Sequence, residues 1–204
     1  AIVPVTLKGD TTEFNADAFG TKPNATVEDL LKKLPGVEVS KDGSIQSQGE
    51  AVARVFVDGK RFFGNDPKLA TQNLPKDVVD KIQVFDGKSD QSEFTGFDDG
   101  NTIKTINIVT KRDKRKGLVG RSSAGIGNDD AEFKNGLYNI NGRLFYMNGD
   151  KRIGFLGNFN NVSQQMFTRG DGGDNNGLNK TISAGINYRD QITPKTDISG
   201  SYFY

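Results

Sequence analysis

Leu178-Asn179-Lys180-Thr181-Ile182-Ser183-Ala184-Gly185-Ile186-Asn187-Tyr188 is the stretch on which the reading of this chain turns. Successive side chains leave a β-strand on opposite sides. Leu178, Ile182, Ala184, Ile186 and Tyr188 therefore share one face with Lys180, while Asn179, Thr181, Ser183, Gly185 and Asn187 share the other. A strand with one oily and one hydrated face suits a wall standing between hydrocarbon and water.

The same unit, a strand of about ten residues closed by a turn rich in Asn, Asp, Gly or Pro, recurs from Leu118 to Tyr204. Leu118, Ala124 and Ile126 alternate with Arg121, Ser123 and Gly125. Tyr138, Ile140, Leu144 and Tyr146 alternate with Asn139, Asn141 and Arg143, and Ile153, Phe155 and Phe159 oppose Gly154, Asn158 and Asn160. Ile198, Tyr202 and Tyr204 oppose Asp197, Ser199 and Ser201; Phe145, Met147, Leu156 and Phe203 break the pattern. Connections are short at Asn148 to Lys151 and Gln191 to Lys195, whereas a longer polar stretch runs from Ser163 to Gly177. Outer-membrane barrels have short periplasmic turns and longer external loops. The first strand is thus expected to rise outward from Lys116, with Asn128 to Asp130 as a short external loop and Ser163 to Gly177 as a long one.

Five such strands cannot close a barrel without leaving an unpaired edge in lipid, so a truncated barrel is expected. The alternative left open by alternation alone is a soluble sandwich, a secreted or surface-exposed β-rich interaction module without transport activity.

Composition narrows the chemistry. The chain has 204 residues, 34% of them hydrophobic, with a mean hydropathy of -0.57. No apolar run approaches the roughly 20 residues of a spanning helix. The start, Ala1 to Leu7, has no charged region followed by a long apolar stretch, so any signal peptide is expected to be already removed. Cysteine and histidine are absent, which excludes disulfides, the usual zinc sites, a Cys nucleophile and a Ser-His-Asp triad. No spaced carboxylate pair stands out, and no enzyme, metal site or cofactor is predicted. A net charge of +1 predicts no general attraction to nucleic acid. The run Lys111, Arg112, Lys114, Arg115, Lys116, diluted by Asp113, reads as a solvated linker between two domains, residues 1 to 115 and 116 to 204.

The N-terminal domain reads as α+β. Ile2, Val3, Val5 and Leu7 begin extended. Thr26 is a predicted N-cap with Asp29 three residues on, and Leu30, Leu31 and Leu34 form a buried stripe that Pro35 and Gly36 stop. Val37 to Val39 and Val52 to Val57 are predicted strands, the second ended by Asp58 and Gly59. A short helix at Pro75 to Val79, a strand at Ile82 to Phe85 and a last strand at Ile103 to Val109 follow.

Val27-Glu28-Asp29-Leu30-Leu31-Lys32-Lys33-Leu34-Pro35-Gly36-Val37, then Val55-Phe56-Val57-Asp58-Gly59-Lys60, Val78-Val79-Asp80-Lys81-Ile82-Gln83-Val84 and Thr105-Ile106-Asn107-Ile108-Val109-Thr110-Lys111 together resemble, in that order, the plug domain of TonB-dependent outer-membrane receptors. Phe62-Phe63-Gly64-Asn65-Asp66-Pro67 and the stretch Lys88 to Gly100 are similar to the subgroup common in Bacteroidetes-type bacteria. The resemblance covers about residues 1 to 115. It implies a globular plug inside a barrel of the bacterial outer membrane, an external ligand captured by the plug, and release driven by a TonB-type inner-membrane complex. Two departures stand out. No copy of the family's energy-coupling segment precedes Ala1 to Val5, and Asn101-Thr102-Ile103-Lys104-Thr105 stands where the family carries a glycine pair.

Several residues are candidates for function. Phe62 and Phe63 could make an apolar contact for ligand or barrel, or simply pack in a core. Asp98 and Asp99 beside Gly100, with Glu93 upstream, could face a hard cation, though a turn held by Asx hydrogen bonds is simpler. Gly170 to Gly177 has the composition of a calcium loop without its spacing and reads as an external loop. Arg121, Arg143, Asn158 and Asn187 are predicted to face the barrel lumen, with lipid outside.

Overall fold

The computed structural model describes residues 3–62, 67–128, 136–162, 180–193 and 196–204. Phe63, Gly64 to Asp66, Leu178, Asn179 and the predicted loop Ser163 to Gly177 lie outside the described residues. The chain divides into two compact units, Ala1–Lys114 and Arg115–Tyr204.

The first unit runs β1 (Val5–Lys8), β2 (Thr11–Asn15), α1 (Val27–Leu31), β3 (Val37–Val39), β4 (Ile45–Ser47), β5 (Glu50–Ala51), β6 (Arg54–Val57), β7 (Lys60–Arg61), α2 (Pro67–Asn73), β8 (Val79–Lys88), α3 (Asp90–Thr95) and β9 (Thr102–Thr110). Six strands form one sheet in the order β1-β2-β8-β9-β6-β7, and β3, β4 and β5 form a small second one. Only β6 and β9 pair in parallel; the other described pairings are antiparallel.

Register sorts the large sheet into two faces. Phe14, Ile82, Ile108 and Val57 form one cross-strand row, all with 4% exposure or less. Val27, Leu30 and Leu31 of α1 and Leu69 and Ala70 of α2 are buried in the same core. Thr26 and Asp29 form the expected reciprocal cap on α1: the Asp29 N–H donates to Thr26 Oγ1 at 3.4 Å and the Thr26 N–H to Asp29 Oδ2 at 2.9 Å. Such a cap contributes about 1 kcal/mol. At the end of β6, Asp58 and Gly59 both take positive φ, 48° and 75°, the geometry that tight hairpins require.

The opposite face carries a polar ladder. Lys81 Nζ donates to Glu13 Oε1 at 2.9 Å and Gln83 Nε2 to Glu13 Oε2 at 3.0 Å. Asn107 Nδ2 donates to Gln83 Oε1 at 2.8 Å, and the Gly59 N–H donates to Asn107 Oδ1 at 2.8 Å. The chain of bonds crosses three strands, β2, β8 and β9, and ends on the turn between β6 and β7.

Two expectations need correction. The predicted helix from Pro75 is a 3-10 turn, Lys76–Val78, because Val79 already belongs to β8. There a bulge between Val79 and Lys81 keeps both Val79 and Ile82 buried despite their odd spacing. The strand predicted from Val52 begins at Arg54. Helices α2 and α3 and strands β2, β4, β5 and β7 were not predicted.

The second unit is one antiparallel meander: β10 (Lys116–Asn128), β11 (Gly136–Asn148), β12 (Lys151–Asn160), β13 (Thr181–Thr193) and β14 (Thr196–Phe203), hydrogen-bonded in chain order. No helix among the described residues is long and apolar enough to cross a membrane. β13 continues past the predicted Tyr188 to Thr193, through a register shift at Gln191/Thr193.

Glu13 supplies a test of the first unit. Hydrogen bonds from Lys81, then Gln83 and Lys8, lower its pKa from 4.5 to about 2 against the opposing effect of burial. A depressed carboxyl stabilises the fold fully above its unfolded pKa and ceases to do so as pH falls through the folded value. Thermal unfolding followed between about pH 5 and about pH 2 is expected to show a steeper loss of stability in the wild type than in Glu13→Gln; parallel curves would contradict this assignment.

Candidate functional site

The second unit turns its two faces to opposite uses. Register places Leu118, Tyr146, Ile153 and Tyr188 in one row, Leu144, Phe155, Ile186 and Tyr202 in a second, and Ala124, Ile140, Phe159 and Ile182 in a third, all on the same face. This face is open: Ile126 is 94% exposed, Leu118 63%, Ile182 61% and Phe155 46%. On the other face Asn158 and Asn187 are 5% exposed and Asn160 is fully covered. Water-soluble proteins bury the first kind of surface and display the second. Here the arrangement is inverted.

The apolar band has a definite height. From Leu118 to Ile126 is eight residues along β10, about 27 Å of strand. At a tilt of about 40° this becomes about 20 Å, near the apolar band of about 25 Å that spans a bilayer. Across the band runs a row of small residues, Ser122, Gly142, Gly157 and Ala184, which leaves a shallow groove beside Leu144 and Phe155. Gly120 is required where it stands: a Cβ there would meet the Arg143 carbonyl oxygen and Leu144 Cδ1, each at 2.7 Å.

Arg121, Arg143, Asn158 and Asn187 all fall on the polar face. Arg121 lies directly opposite Arg143, with Leu156 next in the row; Asn158 pairs with Asn141 and Ser183, and Asn187 with Gly154 and Ser201. Asn160 Nδ2 donates to Asn158 Oδ1 at 2.7 Å, and Asn187 Nδ2 to the Gly200 carbonyl at 3.4 Å. Phe145, Met147 and Leu156, which break the alternation, sit on this face with 3% exposure or less. They are apolar side chains hidden from water within a polar surface.

In the first unit the predicted candidates part company. Phe62 is buried, at 3% exposure, and belongs to core packing; Phe63 lies outside the described residues. The three acids once grouped for a cation have separate partners. Asp98 Oδ1 accepts from the Gly100 N–H at 2.9 Å, closing an Asx turn. Asp99 accepts from Ser89 Oγ at 2.6 Å, Ser92 Oγ at 2.8 Å and the Asn101 N–H at 3.0 Å. Hydrogen bonding, from Ser89 above all, holds the Asp99 carboxyl well below the usual range. Glu93 Oε1 instead accepts from Arg54 Nη1 at 3.0 Å.

Arg54 was not singled out in the sequence. Its side chain is 6% exposed and ion-pairs with Asp90 at 2.7 Å and Glu93 at 3.0 Å, and its Nη1 donates to the Lys88 carbonyl at 2.9 Å. Arg61 pairs with the same two acids. The cluster ties α3 to β6, and just beyond it Phe94 and Phe97 project at 91% and 81% exposure. No sequence signal marks Arg54, because its partners lie 36 and 39 residues away.

No protein-family model and no curated protein matches the chain. Similar solved structures include the siderophore receptor PirA from Pseudomonas aeruginosa, with 14% identity over 97% of this chain and 34% of that one, at a TM-score of 0.41. A mutant ferric enterobactin receptor from Pseudomonas aeruginosa in complex with enterobactin has 14% identity over 96% of this chain and 32% of that one, at a TM-score of 0.37. The copper transporter OprC has 15% identity over all of this chain and 31% of that one, at a TM-score of 0.36. The chain spans about a third of the length of these proteins.

The two faces are separable by substitution. Ile186→Arg, on the open apolar face, is expected to cost about 2–4 kcal/mol when the sheet is folded in a bilayer, whereas Ser183→Arg on the polar face is expected to cost much less. Gly120→Ala is expected to destabilise and Gly142→Ala, whose added Cβ meets nothing within 4 Å, to be mild. Denaturant unfolding in lipid vesicles measures all four; equal costs on both faces would overturn the assignment.

Proposed function

We propose that this chain is part of an outer-membrane receptor or transporter: the first unit a plug, the second the opening strands of the barrel that the plug gates. The observation that carries this reading is the inverted pair of faces in the second unit, with exposed Ile126, Leu118 and Ile182 set against covered Asn158, Asn160 and Asn187. Among the described strands β10 and β14 form the two edges of the sheet, which fits a wall closed by further strands, since lipid offers backbone groups no partner. The sequence resemblance to TonB-dependent plug domains, including the Bacteroidetes-type stretches, supports the assignment of the first unit.

On this reading the apolar rows meet outer-membrane lipid, and Arg121, Arg143, Asn158 and Asn187 line the hydrated interior. An external ligand is bound and its passage gated, with energy delivered through a TonB-type inner-membrane complex. The work is binding and passage without bond chemistry.

Expression of the full reading frame containing this chain tests the proposal. The protein is expected in the outer-membrane fraction, extractable only with detergent, migrating differently in electrophoresis before and after boiling, and retained by the periplasmic domain of TonB. Recovery as a monomer in detergent-free buffer would instead establish a secreted or surface-exposed β-rich interaction module.

A further inference from the structure

Charge on the open apolar face of the second unit is confined to one end. Among the described strand residues the charged ones on that face are Lys116, Lys151 and Asp190. Lys116 is directly opposite Asn148, and Asn148 directly opposite Lys151, so the two lysines flank one asparagine at the Asn148 to Lys151 turn. Asp190, one residue beyond the Arg189 that faces Arg152, stands at the same end of β13. The next row inward is Leu118, Tyr146, Ile153 and Tyr188. Side-chain positions join the two rows: Lys151 Nζ lies 5.8 Å from the centre of the Tyr188 ring, and Tyr188 Oη donates to Asp190 Oδ2 at 3.1 Å. Tyrosines at the rim of an apolar band mark the level where hydrocarbon gives way to headgroups. Lysine stems laid along apolar surface carry their ammoniums to that level.

We infer that Lys116 and Lys151 hold the phosphate of an anionic phospholipid against the outside of the wall; this rests on the barrel reading above and names a lipid partner for its apolar face. Charge decides the class of headgroup. Two ammoniums against one carboxylate leave one positive charge, the complement of a headgroup with a single negative one. The backbones of β10 and β12 stand about 10 Å apart across β11, a gap that one headgroup fills with a lysine on either side and the Asn148 amide between. Asp190 belongs to β13, on the side of Lys151 away from Lys116. A shallow groove of about 530 Å³, lined in part by Gly120, Ser122, Gly142, Leu144, Phe155 and Gly157, continues the site into the apolar band. Gly120 is four residues from Lys116, about 14 Å of strand, within reach of an acyl chain hanging from the headgroup. Because ammoniums and groove share one open face, the occupant carries its phosphate on an apolar chain. Lipid of any kind wets such a face, and the lysine pair selects among headgroups.

Native mass spectrometry of the full-length protein released from detergent micelles tests this, with phosphatidylglycerol and phosphatidylcholine of the same acyl chains as probes. The wild type is expected to retain phosphatidylglycerol in preference to phosphatidylcholine, and inorganic phosphate is expected not to displace it. Lys116→Gln and Lys151→Gln are each expected to weaken phosphatidylglycerol binding about fivefold, the contribution of one lysine at an anionic membrane surface. Lys151→Arg is expected to keep the preference. Lys180→Gln, which removes an exposed lysine just before the other end of β13, is expected to leave binding unchanged. Binding is compared among variants whose heat-dependent migration in electrophoresis shows them folded. Equal retention of the two lipids, displacement by inorganic phosphate, or a loss in Lys180→Gln as large as in Lys151→Gln would overturn the site. These failures in a membrane-inserted protein remove only the lipid site; a wild type that needs no detergent removes the barrel reading beneath it.

Discussion

The antiparallel register of β10 to β14 is the constraint from which the rest of the second unit follows. Hydrogen-bonded pairing runs unbroken from Lys116 opposite Asn148 to Asn128 opposite Gly136, and onward through β12 and β13. Because side chains alternate with a period of two, a slip of one residue in any strand would send its whole apolar set to the other face. Ile140, Phe159 and Ile182 stay in one row, and Asn141, Asn158 and Ser183 in the next, only because every pairing keeps the same parity. The one irregularity, at Gln191/Thr193, falls at the end of the ladder where it moves no residue of either band.

The two units solve opposite solvation problems with the same residue types. In the first, Leu30, Leu31, Ile82 and Ile108 are fully covered, each worth about 1.5–3 kcal/mol when removed from water. In the second, residues of equal size face outward, and that gain is forgone unless hydrocarbon replaces water around them. A sheet that leaves Ile126 and Ile182 open while covering Asn160 is organised for an apolar surround. The low mean hydropathy of the chain is no obstacle, since strand walls average an oily face with a hydrated one.

What could be seen in the sequence was whatever depends on neighbours along the chain. Alternation in Ile182 to Tyr188, the cap at Thr26 and Asp29 and the turn at Asp58 and Gly59 are local and were legible. The 3-10 turn at Lys76–Val78 was misjudged because Val79 is captured by β9 across the bulge, a tertiary effect that overrides the local helix signal. Helix α3 rests on Ser89 as cap and on Arg54, which is far away in sequence. Phe145, Met147 and Leu156 looked like errors in the pattern because a single strand does not show that its polar face is covered. The turn chosen by Asp98 and Asp99 over a cation was readable in principle, since an acid two residues before a glycine or asparagine N–H already has a donor at hand.

Charge follows the same division between the units. In the first, buried or half-buried charges are neutralised within a few ångströms: Arg54 by Asp90 and Glu93, Glu13 by Lys8 and Lys81, and Lys104 by Asp86 at 2.6 Å and Glu50 at 3.0 Å. Removing charges from water is favourable only when such partners are present. On the polar face of the second unit Arg121 stands opposite Arg143 and Arg152 opposite Arg189, with Asp197 paired to Arg189 at 2.6 Å. That placement is set by the same parity that keeps the isoleucines and phenylalanines on the other side.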